Sequence, residues 1–210
     1  MGALRANDGT RRTVETQPKD LSRREEVLDR AVEYLADNGL SNFTMRKLAA
    51  AMGTSTNTIS YQFGSKEGLI DAALERARSM TLGALERIRE EQPGIDPYSA
   101  LEDLWSWWML DHRNRFATRL NMEAMVASDD DVPRERRPGL MTFWIDYFSA
   151  WIKDSGRTDT RHSIVRATQL MAMMSGAVSD LQSTQDVERV QAALYDFLNM
   201  LREEQRLHTD

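Results

Sequence analysis

The stretch from Ser22 to Ile70 constrains the fold of this 210-residue chain more than any other. Two short helical patterns meet within it at Gly53, where a tight turn favours a residue that tolerates a positive φ. Ser55 then offers an N-cap side chain for the second helix, on which Ile59 faces inward. Two helices joined by a short, glycine-containing turn are typical of a helix-turn-helix, whose second helix enters the major groove of DNA.

The second of these helices presents side chains suited to DNA. Hydroxyl, amide and phenol groups can hydrogen-bond to base edges and phosphates. An ordinary helical corner with a solvated polar face is the alternative interpretation of this pattern taken alone. The predicted DNA-binding set comprises the phosphate contacts Thr44, Arg46, Tyr61 and Lys66, the base contacts Thr56, Asn57 and Ser60, and beside them Ser55, Thr58 and Gln62.

The flanks of the pair favour DNA binding over an ordinary corner. Ser22-Arg-Arg-Glu25 has the form of a capping box that begins a helix, and Asn38-Gly39 ends that helix. Gly64-Ser65 precedes a fourth helix that runs to about Glu91 and would link the DNA-reading part to the rest of the chain. Lys66 lies in its first turn, where the helix dipole disfavours a cation, so a neighbouring phosphate would explain it.

The order of these parts resembles the TetR family of transcriptional repressors. The similar segments are Val27-Leu-Asp-Arg-Ala, Asn38-Gly-Leu, Thr44-Met-Arg-Lys-Leu-Ala, Met52-Gly-Thr-Ser and Phe63-Gly-Ser-Lys-Glu-Gly-Leu-Ile. The family usually has an aromatic residue at the place of Ser60 and His or Tyr at Gln62, whereas here Tyr61 is shifted by one position. The resemblance implies a homodimeric repressor that a small molecule releases from a palindromic operator.

The net charge is positive in the N-terminal third of the chain, where contact with phosphates is predicted. The whole chain has a formal net charge of −6, but residues 1–70 hold ten Lys/Arg and nine Asp/Glu, so the negative charge belongs to the remainder. The basic part is therefore the part with the helix-turn-helix. The chain has no cysteine, no leader-like apolar segment and no apolar run of membrane-spanning length, and we expect a soluble cytoplasmic protein.

The fold class is predicted to be all-α, because the remaining chain shows helical apolar spacing without strand alternation. Three regions are predicted: a disordered N-terminal arm at 1–21, a helix-turn-helix domain at 22–67 and a helical ligand-binding and dimerisation domain at 68–210. Arg5, Arg11 and Arg12 could reach the minor groove of DNA, although a loose terminus is the favoured interpretation.

The last two predicted helices cover roughly 160–182 and 187–206. Their apolar residues follow helical spacing and comprise Ile164, Ala167, Met171, Met174 and Val178 on the first and Val190, Leu194, Phe197 and Leu201 on the second. The TetR resemblance implies that this pair forms a four-helix bundle with its copy in a dimer. The alternative is that these faces only close the core of one chain. We favour the dimer, because a helix-turn-helix reads palindromic half-sites through a two-fold axis.

Residues 105–151 contain all five tryptophans together with other aromatic side chains and methionines. Such side chains can line an apolar cavity between helices, although they more often fill a core. The predicted ligand-binding residues are Trp105, Trp108, Met109, His112, Met122, Met125, Trp144, Tyr147, Met171 and Met174. The polar groups that could orient a ligand are His112, Asn121, Glu123 and Gln169, and the effector itself is expected to be apolar or aromatic.

Nothing in the sequence has the pattern of a catalytic site, and we predict a protein that is not an enzyme and needs no cofactor or metal. The three histidines are far apart, and no phosphate-binding loop or nucleophile elbow is present. Asp129-Asp-Asp131 is expected to be a solvated turn, because a carboxylate metal site there would lack further ligands. Two alternatives stay open: an all-α enzyme or carrier with an architectural helix-turn-helix, and a helix-turn-helix protein that works through protein contacts without a ligand.

Overall fold

The computed structural model describes residues 18–40, 43–126, 132, 135, 137–155 and 159–207. The described residues form nine α-helices and no β-strand, so the all-α prediction is confirmed. The helices are α1 Pro18–Asn38, α2 Met45–Ala51, α3 Thr56–Phe63, α4 Lys66–Glu91, α5 Pro97–Leu110, α6 His112–Val126, α7 Arg137–Ser155, α8 Thr160–Thr184 and α9 Val187–Leu207.

Local capping determines where the first helices begin and end. The hydroxyl oxygens of Ser55 and Ser65 each accept a hydrogen bond of 3.1 Å from a backbone N–H three residues later, so both predicted N-caps are confirmed. Gly39 and Gly53 adopt φ of +72° and +63°. Both conformations favour glycine, and they place the predicted end of α1 and the predicted turn between α2 and α3 where the sequence indicated them.

The predicted beginning of α1 is wrong. This helix starts at Pro18 rather than at Ser22, so residues 18–21 belong to a helix and not to a disordered arm. Proline suits the first turn of a helix because its φ is already helical and its missing N–H needs no partner there. Glu25, the other member of the predicted capping box, instead accepts a hydrogen bond from Arg76 of α4. Residues 1–17, with Arg5, Arg11 and Arg12, lie outside the described part of the chain.

The buried apolar side chains form two cores. The first, which we call the head core, joins α1, α2 and α3 to the first half of α4 and also includes Phe116, Leu120 and Ala124 of α6. The second, the body core, joins α5, α7, α8 and α9 to Ala84 and Leu85 in the second half of α4. The fourth helix thus connects the two cores as predicted, and α6 is a second connection that the sequence pattern did not indicate.

The apolar stripes predicted on α8 and α9 belong mainly to the body core. Residues such as Met171, Met174 and Leu194 are buried within the single chain. Ile164 departs from the prediction, because it lies at the free end of α8 and is 44% exposed. On α9 the buried position is Leu198, while Phe197 is only partly buried. The stripes therefore close the core of one chain, and a dimer contact needs the other sides of these helices.

Candidate nucleic-acid interface and internal cavity

The α3 helix is fixed to the head by one side only. Ile59 is fully buried and Phe63 is 9% exposed, and both belong to the head core. The guanidinium carbon of Arg24 lies 4.9 Å from the centre of the Phe63 ring, which adds a cation–π contact from α1. Two apolar anchors four residues apart hold a helix of eight residues in one orientation. The opposite side of α3 is therefore presented to solvent in a defined position.

That opposite side carries the predicted base contacts. Thr56 and Asn57 are exposed, and Ser60 and Gln62 are partly exposed. Tyr61 is 79% exposed, a large fraction for a side chain of this size. Its ring can reach away from the protein, and its hydroxyl can donate to a phosphate or a base edge. This side of α3 has the size and chemistry of a helix that reads the major groove.

Other members of the predicted DNA-binding set have a local structural role as well. Thr44 Oγ1 caps α2 by accepting a hydrogen bond from Lys47 N at 3.2 Å. Ser55 Oγ caps α3 and lies 3.0 Å from Thr58 Oγ1. A capping hydroxyl uses a lone pair and can still donate its own proton to a phosphate. The caps therefore place these hydroxyls at the exposed ends of α2 and α3.

The two predicted cations lie on helices that pack beside α3. Arg46 is exposed on α2. Lys66 begins α4, with its ammonium nitrogen 5.8 Å from the centre of the Phe43 ring. The aromatic ring stabilises this cation at a helix start where the dipole opposes it. This contact is an explanation for Lys66 that the sequence did not reveal and that is compatible with a phosphate neighbour.

The turn of the helix-turn-helix is held by a residue that the sequence analysis missed. Arg30 of α1 donates a hydrogen bond of 2.8 Å to the carbonyl oxygen of Met52, which ends α2. Arg76 of α4 pairs with Glu25 and Asp29 of α1. Because these partners are 22 to 51 residues apart in sequence, no local pattern could have identified them. Together they fix α2 and α4 relative to α1, and hence fix the frame in which α3 sits.

An internal cavity, which we call the body cavity, lies between α4, α5, α6, α7 and α8. Its volume is about 70 Å³, and its walls are mostly apolar. Drug-sized ligands usually occupy cavities of roughly 300–1,000 Å³, so this space must widen to admit one. Five methionines line it: Met122, Met125, Met141, Met171 and Met174. Their flexible side chains can move aside at small cost, which makes such widening feasible.

The body cavity brings together six of the ten predicted ligand-binding residues, namely Trp108, Met122, Met125, Trp144, Met171 and Met174. Trp105 and Met109 line a different cavity, between α5, α6 and α8. Tyr147 lines neither cavity, because its ring packs against Phe148 and Trp151 of its own helix. The side chain of His112 and the segment Asp129–Asp131 lie outside the description.

The predicted polar orienting residues are dispersed. Asn121 is buried and lines the body cavity. Gln169 does not line it, because the side chain is exposed and accepts a hydrogen bond from Arg166. Glu123 also points elsewhere and accepts a hydrogen bond of 2.8 Å from the backbone N–H of Leu40. Glu123 thus contacts the end of α1 in the head rather than a ligand space.

No group of three or more His, Cys, Asp or Glu side chains among the described residues is arranged to hold a metal ion. None of the described helices combines the length and the apolar character that crossing a membrane requires.

Comparisons with known proteins place this geometry in context. Residues 27–73 match the family described as "Bacterial regulatory proteins, tetR family". The chain is 28% identical over 177 residues to the HTH-type transcriptional repressor Rv1474c of Mycobacterium tuberculosis, covering 82% of this chain and 89% of that protein. A TetR transcriptional regulator from Legionella pneumophila has the same fold, with a TM-score of 0.67 at 15% identity over 89% of this chain and 97% of the other. The multidrug binding protein EbrR, solved with imidazole, aligns with a TM-score of 0.63 at 19% identity over 85% and 94%.

Proposed function

We propose that this chain, a DNA-binding transcriptional regulator of the TetR family, acts as a homodimeric repressor that leaves a palindromic operator when a small apolar or aromatic molecule binds. One observation carries the proposal. The α3 helix is anchored by Ile59 and Phe63 and presents an uninterrupted polar side from Thr56 to Gln62. A repressor would act in the compartment that holds the chromosome, so we place this protein in the cytoplasm.

The proposed contact with DNA divides into two kinds. Asn57, Thr56 and Ser60 face the base edges of one half-site, where an amide can pair with adenine and hydroxyls can pair with any base. Arg46, Lys66 and the hydroxyls that cap α2 and α3 contact the backbone on either side. Tyr61 contacts a phosphate at the edge of the groove. Phosphate contacts fix the register and base contacts supply the sequence preference.

The proposed dimer uses the exposed sides of α8 and α9. Among the described residues, seven large apolar side chains are clearly exposed, and five of them lie on these two helices: Ile164, Val165, Val187, Met200 and Leu207. Four of these five lie toward the end of the pair where α8 begins and α9 ends, whereas Val187 lies at the opposite end, beside the α8–α9 turn. Exposed apolar side chains grouped as these four are typical of a protein contact. A two-fold axis there would place the two α3 helices on successive half-sites of an inverted repeat.

The proposed effector widens the body cavity. Methionine side chains would yield first, and the helices α4 and α6 would then shift because both line the cavity and both enter the head core. EbrR, whose structure holds imidazole, supports small-molecule binding within this fold. The effector can lower DNA affinity by no more than the difference between its own affinities for two conformations, the one that fits the operator and the one that does not.

The decisive experiment selects binding sites from a random DNA duplex library with the full-length protein. We expect the enriched sequences to be inverted repeats. Their affinity should fall steeply as salt rises, because Lys and Arg side chains release counterions from the phosphates on binding, and this release is less favourable at higher salt. Asn57→Ala should alter the preferred base at one position of each half-site, at a cost of about 1–3 kcal/mol for the original base. Arg46→Ala should weaken all sequences alike and reduce the salt slope by about one.

Two results would count against the proposal. If selection enriches no sequence, the helix-turn-helix is an architectural corner, as in the enzyme or carrier alternative. If selection succeeds but no apolar or aromatic compound changes tryptophan fluorescence or DNA affinity, the protein responds to protein partners rather than to a ligand. A suitable control for the Asn57 and Arg46 variants is Arg87→Ala, an exposed cation in the second half of α4.

A further inference from the structure

A second cavity lies where the head meets the body. We call it the junction cavity; its volume is about 390 Å³, and it is formed by the end of α1, the end of α5, the first half of α6 and the α8–α9 turn. This volume falls within the range of roughly 300–1,000 Å³ that small-molecule sites occupy, without any widening. The junction cavity is thus more than five times larger than the body cavity and is open in the structure as it stands.

The walls of the junction cavity combine flat apolar surface with positive charge. Trp108 and Met109 form the apolar wall, and the fully buried Trp105 packs edge to face against Trp108 with ring centres 6.0 Å apart. Arg115 and Arg119 contribute two guanidinium groups. No carboxylate occurs among the described residues that line the space. Aromatic rings beside guanidinium groups favour a flat molecule that carries a carboxylate or a sulfonate.

The two arginines differ in whether they already form an ion pair within the protein. The Nε atom of Arg119 lies 3.0 Å from Glu123 Oε1, close enough for an ion pair although its N–H is not aligned for a hydrogen bond. Arg115 is exposed and forms no ion pair with another described residue. Its charge is therefore available to an anion, and the fork of a guanidinium suits the two oxygens of a carboxylate.

The second arginine connects this cavity to the head. Arg119 donates a hydrogen bond of 2.6 Å to the carbonyl oxygen of Ala36 and a longer one of 3.4 Å to that of Leu35, both in the last turn of α1. Ala36 itself lines the cavity. An anion that drew Arg119 toward the cavity would compete with these carbonyl groups. Occupancy would then loosen the hold of α6 on the end of α1.

We propose that the junction cavity is a second ligand site, separate from the body cavity, that binds a small aromatic anion through Arg115 and Arg119. The aromatic part lies against the wall formed by Trp108 and Met109. The acidic group pairs with the two guanidinium groups that the first half of α6 contributes to the cavity. The site does not depend on DNA binding, so it can be tested on the free protein whatever the fate of the repressor proposal.

The test uses 8-anilinonaphthalene-1-sulfonate, an aromatic anion whose fluorescence rises in apolar surroundings. Its matched control is N-phenyl-1-naphthylamine, which has the same rings without the sulfonate. We expect saturable binding of the anion with energy transfer from tryptophan. Arg115→Glu should weaken anion binding by about tenfold or more, since it replaces a favourable charged contact with a repulsive one, and should change binding of the neutral probe less than about twofold. Arg87→Glu, at an exposed position of α4 that lines neither cavity, serves as the charge-matched control and should leave both probes unaffected.

The location is tested with a variant of the other cavity. Ser175 lines the body cavity only, and Ser175→Phe narrows that space. If Ser175→Phe abolishes binding of the anion while Arg115→Glu leaves it intact, the probe occupies the body cavity and the proposal is overturned. Absence of saturable binding to the wild-type protein overturns it as well. Equal losses for the anion and the neutral probe on Arg115→Glu would mean that charge plays no part, which also contradicts the proposal.

Discussion

Tyr147 shows how a polar group can be buried without contributing to stability. Its hydroxyl oxygen is buried and has no hydrogen-bond partner among the described residues, while its ring packs edge to face with Trp144 and Phe148. A buried polar group without a partner costs free energy. We therefore expect Tyr147→Phe to leave the free energy of unfolding unchanged or to raise it by up to about 1 kcal/mol, as measured by urea denaturation.

The matched control for that substitution is Tyr195→Phe. The Tyr195 hydroxyl lies 3.1 Å from Ser106 Oγ and 3.3 Å from the carbonyl oxygen of Glu102, so it links α9 to α5. Removing this hydroxyl should lower the free energy of unfolding by about 1 kcal/mol. A loss of the same size for Tyr147→Phe would show that its hydroxyl has a partner and would contradict the prediction.

Tyr98 gives the stability of this fold a pH dependence in the alkaline range. Burial raises the pKa of Tyr98 to about 12 from an ordinary value of 10.0; the carboxylates of Asp96 and Glu204 add to the rise, and Arg166 opposes it. Above pH 10 the unfolded chain loses this proton while the folded chain keeps it. The free energy of unfolding therefore falls as pH rises from 10 to 12, by as much as about 2–3 kcal/mol, and is unaffected below pH 9.

The measurement compares wild type with Tyr98→Phe by chemical denaturation between pH 8 and 11. The variant lacks the titrating group, so its free energy of unfolding should fall less steeply above pH 10. Other groups titrate in both proteins, and the difference between the two curves isolates Tyr98. Parallel curves across this range would mean that the folded and unfolded states share one pKa at this site.

At the scale of single residues, the sequence predicted what is local. Ser55 and Ser65 were predicted as N-caps because a cap depends on a backbone N–H three residues away. The bond from Leu40 N to Glu123 joins residues 83 apart, and no spacing rule connects them. Glu123 was instead predicted as a ligand orienter, since a carboxylate among methionines and aromatic residues suggests a cavity. Only the packing of α6 against α1 reveals its role.

At the scale of helices, α6 holds the end of α1 with both members of an ion pair. Arg119 donates to carbonyl groups of the last turn of α1, and Glu123 accepts from the N–H of Leu40 just beyond Gly39. Glu123→Ala should accelerate hydrogen exchange of the Leu40 amide and lower the free energy of unfolding by about 1–2 kcal/mol. Mass spectrometry of deuterium uptake in the peptide that covers Leu40 measures this change.

A carboxylate in the body provides the control for this helix contact. Glu102 of α5 pairs with Arg202 of α9 at 2.7 Å, with similar exposure. Glu102→Ala should reduce stability comparably while leaving exchange at Leu40 unchanged. If both variants accelerate exchange at Leu40 equally, the effect reflects general loosening, and the proposed hold of α6 on the head does not exist.

Helical periodicity alone could not assign the faces of α8 and α9. Val190, Leu194 and Leu201 follow the spacing of a buried stripe, and that spacing is the same whether the partner is another helix of the chain or a second copy. The structure assigns these residues to the body core. The exposed side chains that could contact a partner, such as Val165 and Met200, lie outside this buried stripe. The sequence pattern did not indicate them.

At the scale of the whole molecule, the two cores share two helices rather than one. The fourth helix was predicted as the link because it runs from the end of the helix-turn-helix to about Glu91. The sixth helix contributes to the head core through Phe116 and Leu120 and lines both cavities with Thr118. A change in either cavity thus acts on the same helix that holds α1. The two proposed ligands would thus be able to bias one head position without sharing a site.

The proposed dimer is the assembly on which the proposed reading of an inverted repeat depends. Arg166 pairs with Glu204, so the start of α8 lies beside the end of α9, and the exposed Ile164, Val165 and Leu207 fall in this region. Val165→Glu combined with Met200→Glu would place two like charges on each side of a two-fold contact. We expect the dimer dissociation constant to rise more than about tenfold in sedimentation velocity, with helical content unchanged by circular dichroism.

Leu110→Glu is the matched control, because Leu110 is an exposed apolar residue at the end of α5, with 82% of its surface accessible, and lies outside the α8–α9 pair. This variant should keep the dimer and its affinity for an inverted repeat. The double variant should retain weak binding to a single half-site, since each α3 is intact. It should lose the additional affinity that a dimer gains by binding two half-sites at once. If the double variant remains dimeric, the dimer interface lies on another surface of the protein. The spacing of the two α3 helices would then be set by that other surface.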